Sequence, residues 1–180
     1  MITIYTDGSS RGNPGPGGWA AIISYEKLVD SKQAAWVTEI GGREDHTTNN
    51  KMELTAAIKS LEFVSKLKSH NANKPTVSLH TDSEYVMKGI TVWVHSWQKK
   101  GWKTANRKPV LNQDLWQELL ALTERVTSTN SRIEWKYVAG HAGVPLNERA
   151  DEIATSCADL PAGRQAISLS LYDGPRDQYR

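Results

Sequence analysis

The stretch ITIYTDGSSRGNPGPGG, Ile2 to Gly18, sets the organisation of the chain. Ile2 and Ile4 alternate with Thr3 and Tyr5, the period-two pattern of a half-buried strand. That strand delivers Asp7 and then breaks into Gly, Ser, Asn and Pro. Glycines at 8, 12, 15, 17 and 18 permit unusual backbone angles and close approach of another backbone. A carboxylate at a strand end beside such a loop suits a metal ion and a polyanion. A strand, a polar turn and the start of a hairpin account for the same residues equally well.

The length of 180 residues fits one domain with a substantial core. Hydrophobic content of 38% against 23% charged is ordinary for a soluble globular protein. The single Cys157 excludes an internal disulfide and suits a reducing compartment. No apolar run approaches membrane-spanning length and no basic-then-apolar leader opens the chain, so a cytoplasmic location without membrane contact is expected. The net charge of +2 hides a polarised distribution. Between Tyr85 and Gln113 there is no acid, yet Lys88, Lys99, Lys100, Lys103, Arg107 and Lys108 all fall there. One basic projection on a mildly acidic body points to a polyanionic partner.

Beyond the glycine loop, residues 19–25 and 36–40 read as strands, the latter ended by Gly41 and Gly42, giving an antiparallel meander. Leu54, Ala57, Ile58, Leu61, Val64 and Leu67 recur at helical spacing, with Asn50 as N-cap and Glu53 completing a capping box. A short strand over 77–81 ends at Asp82. Helical stretches follow at 85–87, broken at Gly89, and at 91–99, ended by Gly101. A helix over 111–126, a strand over 133–138 and a helix over 147–160 complete the regular part. Three strands followed by alternating helices and strands predict an α/β fold, a five-stranded mixed sheet with helices on both faces.

Asp7 and Asp82 end expected strands, while Glu53 and Asp151 open expected helices. Such positions converge on one rim of a mixed sheet, where ligands collect. Four carboxylates gathered there repel one another unless a cation neutralises them, and hard oxygen ligands select Mg²⁺ or Mn²⁺ over zinc. Singly, each acid has a simpler account: Glu53 as a helix cap, Asp151 complementing a helix dipole, Asp82 as an N-cap, Asp7 turning the chain. His141 lies in the loop AGHAGVP with no His or Cys at zinc-ligand spacing. Ser9 and Ser10 have no nucleophile elbow around them.

Five stretches occur in one order: TDGSSRGNPGPGGWA, TTNNKMEL, TDSEYV, GITVWVHSWQKKGWKTANRKPVLNQDLW and VAGHAGVPLNERAD. Over residues 1–160 the chain resembles bacterial type 1 ribonuclease H. The resemblance implies that Asp7, Glu53, Asp82 and Asp151 are catalytic metal ligands, with Asp7 bridging two ions. It implies further that His141 aids product release or proton handling and that Asn147 supports it and a catalytic water. The implied activity is endonucleolytic hydrolysis of the RNA strand of RNA–DNA hybrids, leaving 3′-hydroxyl and 5′-phosphate ends. Two Mg²⁺ (or Mn²⁺) ions per site would activate a water and stabilise the departing 3′-oxygen, with no protein nucleophile. Asn13, Asn49 and Asn50 would read the minor groove of the hybrid, where the 2′-hydroxyl distinguishes RNA from DNA. Thr48 belongs to the family's DNA-phosphate pocket. Trp93 would stack on DNA sugars while Lys99, Lys100 and Lys103 contact phosphates; Trp97 and Trp102 read equally as core. Lys51 stands where many relatives carry Arg, Ser96 where many carry Asn, and Val144 follows HAG where relatives vary.

The expected organisation is a catalytic domain over 1–160, without a preceding hybrid-binding domain, and a tail over 161–180, acting as a monomer. In the tail Ile167, Leu169 and Leu171 alternate with Ser168, Ser170 and Tyr172, which predicts an edge strand over 166–171. Two rivals are another nuclease of the same fold acting on duplex DNA, and a hybrid-binding module without catalysis. The basic projection and asparagine-rich loop weigh against the first, and the retained carboxylates against the second.

Overall fold

A computed structural model describes residues 1–30, 32–67, 75–128, 132–163 and 169–179. Strand β1 (Ile2–Ser10) runs antiparallel to β2 (Gly15–Val29), and β2 to β3 (Lys32–Thr47). Helix α1 (Asn49–Lys66) then crosses to β4 (Thr76–Thr81), which lies parallel to β1. Helix α2 (Glu84–Lys88), a π turn (Gly89–Trp93) and helix α3 (Val94–Lys99) follow, then α4 (Gln113–Ser128) and β5 (Arg132–Tyr137), parallel to β4. Helix α5 (Pro145–Ala158) precedes β6 (Leu169–Pro175), antiparallel to β3, and a 3₁₀ turn (Arg176–Gln178). The sheet order is β5-β4-β1-β2-β3-β6.

Alternation along β2 distributes the core. Trp19, Ala21, Ile23 and Tyr25 join the main cluster with Ile4, Leu79, the apolar stripe of α1 and Trp116 of α4. Ala20 and Ile22 face the other way, onto Ala150, Ile153, Ala154 and Cys157 of α5. Helices therefore cover both faces, and the main core lies between the sheet and the α1–α4 pair.

Several expected boundaries move, each for a tertiary reason. The sheet has six strands rather than five, because part of the tail pairs with β3. The stretch expected as strand, 166–171, meets the observed strand only at 169–171; residues 166–168 lie outside the described residues, and the pairing runs on to Pro175. Asp7 does not end its strand, since β1 continues to Ser10 against Gly17. Gly41 and Gly42 do not stop β3. A Cβ on Gly42 would stand 2.7 Å from the Trp19 indole nitrogen, and one on Gly41 3.0 Å from Ile153. These two residues are bare so that an indole and a helix can lie against the strand. Helix α2 does end at Gly89, as expected, though the chain stays coiled through the π turn that starts there; a Cβ on Gly89 would meet the Trp116 ring at 1.9 Å.

Candidate active site

The β1–β4 register pairs Thr6 with Thr81, which sets Asp7 and Asp82 side by side at the carboxyl end of the parallel strands. Ligand crevices form at that end of α/β sheets. Glu53 arrives from the second turn of α1, whose first turn is capped by Thr48 and not by Asn50: the Lys51 amide donates to Thr48 Oγ1 at 3.4 Å. Gly8 lets the helix close on the strand there, since a Cβ on it would lie 2.2 Å from the Glu53 backbone nitrogen. Asp7, Glu53 and Asp82 offer carboxylate oxygens within 4.8 Å of one another.

Asp7 and Glu53 are each only 6% exposed, and one oxygen of each, Asp7 Oδ2 and Glu53 Oε2, is buried without a hydrogen-bond partner. Burial, followed by the charges of Asp82 and Asp151, pushes the Asp7 carboxyl up to about 8. Burial and then the charges of Asp7 and Asp82 also drive Glu53 well above the usual carboxylate range. In both cases a backbone hydrogen bond at Gly8 opposes the rise, as does the Asn49 amide on Glu53, 3.5 Å from Oε1. Buried acids with unmet oxygens need a counter-charge, and an all-oxygen donor set fits a hard divalent cation.

Asp151 stands outside the group of three. It lies in the middle of α5 rather than in its first turn, half-buried, and its charge is felt at Asp7. His141, with φ of 52°, sits in the exposed loop before α5 with Nδ1 3.9 Å from Asp151 Oδ2. Asn147 is 2% exposed and donates from Nδ2 to Asp82 Oδ2 at 3.2 Å, so it links α5 to the acid after β4. Gly140 backs the same acid: a Cβ on it would stand 3.0 Å from Asp82 Oδ2. Sequence reasoning tied Asn147 to His141 and passed over Gly140. A glycine next to a loop histidine is the only signal the sequence carries for that approach.

Asn13, Asn49 and Asn50 are exposed, and Thr48 is half-buried beside them at the start of α1. Farther along, Lys99, Lys100 and Lys103 are exposed on a projection closed by pairing of Lys103 with Pro109 and by the Val110 amide on the Trp102 carbonyl at 3.0 Å. Trp93 lies 5.7 Å from Trp97, which lies edge-on to Trp116 at 5.6 Å. Trp97 and Trp102 pack half-buried against the main core and so anchor the projection.

Buried carboxylates with unmet oxygens at the parallel strand ends, in a chain that also carries a cationic projection, suit a metal-dependent nuclease. The RNase H family profile matches residues 1–159, and the chain belongs to that family, in its bacterial type 1 branch. It is 52% identical over 154 residues to a ribonuclease H of Caulobacter sp. (strain K31), covering 85% of this chain and 86% of that one. To the ribonuclease H of Chromohalobacter salexigens it is 47% identical over 169 residues, 93% and 91% of the two chains. Among solved structures, LC9-RNase H1, a type 1 RNase H with the type 2 active-site motif, superposes with a TM-score of 0.68 at 29% identity. That match covers 93% of this chain and 77% of the other. The chain is accordingly a metal-dependent endoribonuclease.

Proposed function

We propose that this chain hydrolyses the RNA strand of RNA–DNA hybrids at the acidic centre, with residues 1–160 as the catalytic unit. Two Mg²⁺ ions, replaceable by Mn²⁺, are the proposed cofactors, and the products are 3′-hydroxyl and 5′-phosphate ends. The single observation that carries the reading is the pair of buried, partnerless carboxylate oxygens on Asp7 and Glu53 beside Asp82. Asp7, Glu53, Asp82 and Asp151 would hold the ions. When bound, these supply a water activated at neutral pH and charge stabilisation for the leaving 3′-oxygen. The chain's own residues do the rest. Asn147 orients the Asp82 carboxylate, and the Gly8 amide helps fix Asp7 and Glu53. His141, beside Asp151, handles a proton or the departing product. Incubation with a labelled RNA–DNA hybrid, duplex RNA and duplex DNA, each with and without Mg²⁺, tests this. Cutting confined to RNA in the hybrid and dependent on Mg²⁺ is expected. Cutting of duplex DNA at a comparable rate overturns the substrate assignment.

Asn13, Asn49 and Asn50 are the proposed groove-reading residues, with Thr48 at a DNA phosphate. Trp93 and the exposed lysines of the projection take the DNA strand. Replacing Lys99, Lys100 and Lys103 together by Gln is expected to weaken hybrid binding. The slope of log K against log salt should flatten by about one for each phosphate that is no longer neutralised, with little change in turnover of bound substrate. An unaltered salt slope removes the projection from the binding surface.

His141→Ala should lower turnover by up to about 10²-fold, less than loss of a metal ligand, because the histidine assists chemistry that the carboxylate centre carries. Its side chain is 84% exposed, so the melting temperature should hold. A fall in melting temperature of several degrees would show that the histidine is structural.

A further inference from the structure

Away from the acidic centre lies a buried carboxylate that the proposed chemistry does not use. Glu39 of β3 has a side chain only 3% exposed. Its carboxylate accepts two bonds from the Arg149 guanidinium, Nε to Oε1 at 2.8 Å and Nη2 to Oε2 at 3.2 Å. A third comes from the Tyr179 hydroxyl, to Oε1 at 2.8 Å. Tyr179 follows the 3₁₀ turn after β6, and its ring meets Tyr172 of β6 edge-on at 5.1 Å. Both tyrosines pack with Leu146 against Ile22, Val37 and Ala150. Strand β6 itself is pinned to β3 by Asp173, which accepts from the Trp36 indole and from Thr38 Oγ1 at 2.8 Å.

The partners on α5 are informative. Leu146, Arg149 and Ala150 form one stripe of that helix at spacings of three and four, and this stripe meets the tail and Glu39. Asn147 and Asp151 each follow one member of it and form the neighbouring stripe, toward Asp82 and His141. A buried ion pair supplies little net stability, since desolvation offsets the Coulomb attraction. A bidentate guanidinium–carboxylate fork does fix orientation, because both groups are planar and rigid. With α5 held on one stripe by this fork and by two aromatic rings, the rotation of the helix is set, and with it the placement of the adjoining stripe.

We infer that the C-terminal strap, residues 169–179, acting through Tyr179 and Glu39 on Arg149, is a positioning element that sets Asp151 and Asn147 of α5 against the carboxylate centre. The inference rests on the proposed role of Asp151 as a metal ligand. Displacement of a catalytic group by a fraction of its own size lowers rates steeply, even when the change lies remote from the chemistry.

The test uses the full chain carrying Tyr179→Phe, Glu39→Gln or Arg149→Lys, with Asp151→Asn alongside. Tyr179→Phe keeps the ring in its packing and removes only the hydroxyl, so it folds even if a Glu39 variant does not. Readouts are Mn²⁺ affinity by calorimetry, amide exchange of residues 147–151, and kcat and KM for a hybrid. Each strap variant is expected to weaken Mn²⁺ binding and lower kcat about tenfold, to speed exchange in that part of α5 and to leave KM unchanged. Arg149→Lys keeps the charge but loses the fork, and should match Glu39→Gln. Variants that lower the melting temperature while leaving Mn²⁺ affinity and kcat intact overturn the inference, because the strap is then structural only. Asp151→Asn with undiminished Mn²⁺ affinity instead removes the ligand role beneath it, an outcome the strap variants alone do not produce.

Discussion

An Asp7→Asn protein is expected to keep its fold and its grip on an RNA–DNA hybrid while cleavage falls by about 10³-fold or more. Asp7 is grouped with Asp82, just after the neighbouring strand β4, and Glu53 on α1, and removing its charge would remove one of the proposed metal ligands. Hybrid affinity survives because the proposed binding residues are the exposed asparagines and the lysine projection. The same substitution should stabilise the metal-free protein. The Asp7 carboxyl is raised from 3.8 to about 8 by burial and by Asp82 and Asp151. Between those values the folded chain holds a proton that the unfolded chain has released. Metal-free stability therefore falls as pH rises across that window, by an amount on the order of a few kcal/mol by neutral pH. Glu53, raised in the same direction, adds to the fall. The exposed pair of Arg11 with Asp159 has the opposite sign, since its acid is held below its ordinary value: what it contributes is present throughout that window and is lost only in more acidic solution. Melting in EDTA from pH 4 to pH 8 should thus decline in the wild type and decline much less in Asp7→Asn. Added Mn²⁺ should restore the wild type and not the variant. Cleavage by Asp7→Asn at near wild-type rate with Mg²⁺ would remove Asp7 from the metal site.

The acids were legible in the sequence because the motifs around them are those of a known family; the positional cue holds only for Asp82, just after β4, since Asp7 lies within β1 and Asp151 in the middle of α5. Their mutual distances were not, since the β1–β4 register and the seating of α1 on Gly8 follow from packing between residues far apart in sequence. The glycine errors share one cause. Gly41 and Gly42 read locally as stops, yet each is bare because a side chain or helix from elsewhere occupies the space of its Cβ, as Trp116 also does at Gly89, where α2 does end. The Glu39–Arg149 fork joins positions 110 residues apart, and a lone Glu in a strand gives no sign of such a partner. The cap of α1 lay within reach of local rules, because Thr48 and Asn50 are both good N-cap residues; the choice fell to Thr48, where β3 ends. Tail alternation signalled a strand, but the pairing with β3 extends through Asp173 and Gly174 to Pro175, polar and turn-forming residues that carry no strand signal of their own.

Gly8→Ala is expected to separate assembly of the carboxylate centre from general stability. The added methyl would meet the Glu53 backbone nitrogen at 2.2 Å, the Met52 carbonyl carbon at 2.5 Å and the Glu53 Cα at 2.8 Å. All three are backbone atoms of α1, so no side chain can swing aside and the first turns of the helix must lift from β1. Overpacking of this kind costs about 1–3 kcal/mol, a loss that a domain of ordinary stability survives at low temperature. The lift acts directly on the distance between Glu53 and Asp7. Cleavage by the folded variant should therefore fall by about 10²-fold, and Mn²⁺ affinity should fall with it. Gly89→Ala supplies the comparison. Its methyl would strike the Trp116 ring at 1.9 Å, a clash at least as severe but placed between the α2–α3 segment and α4, away from the acids. That variant should lose comparable stability, weaken hybrid binding through the displaced Trp97 and Trp116 packing, and keep its Mn²⁺ affinity. Calorimetric Mn²⁺ titrations of both variants, at a temperature where circular dichroism shows each folded, decide the matter. Wild-type Mn²⁺ affinity in Gly8→Ala would mean that the approach of α1 to β1 does not set the carboxylate spacing.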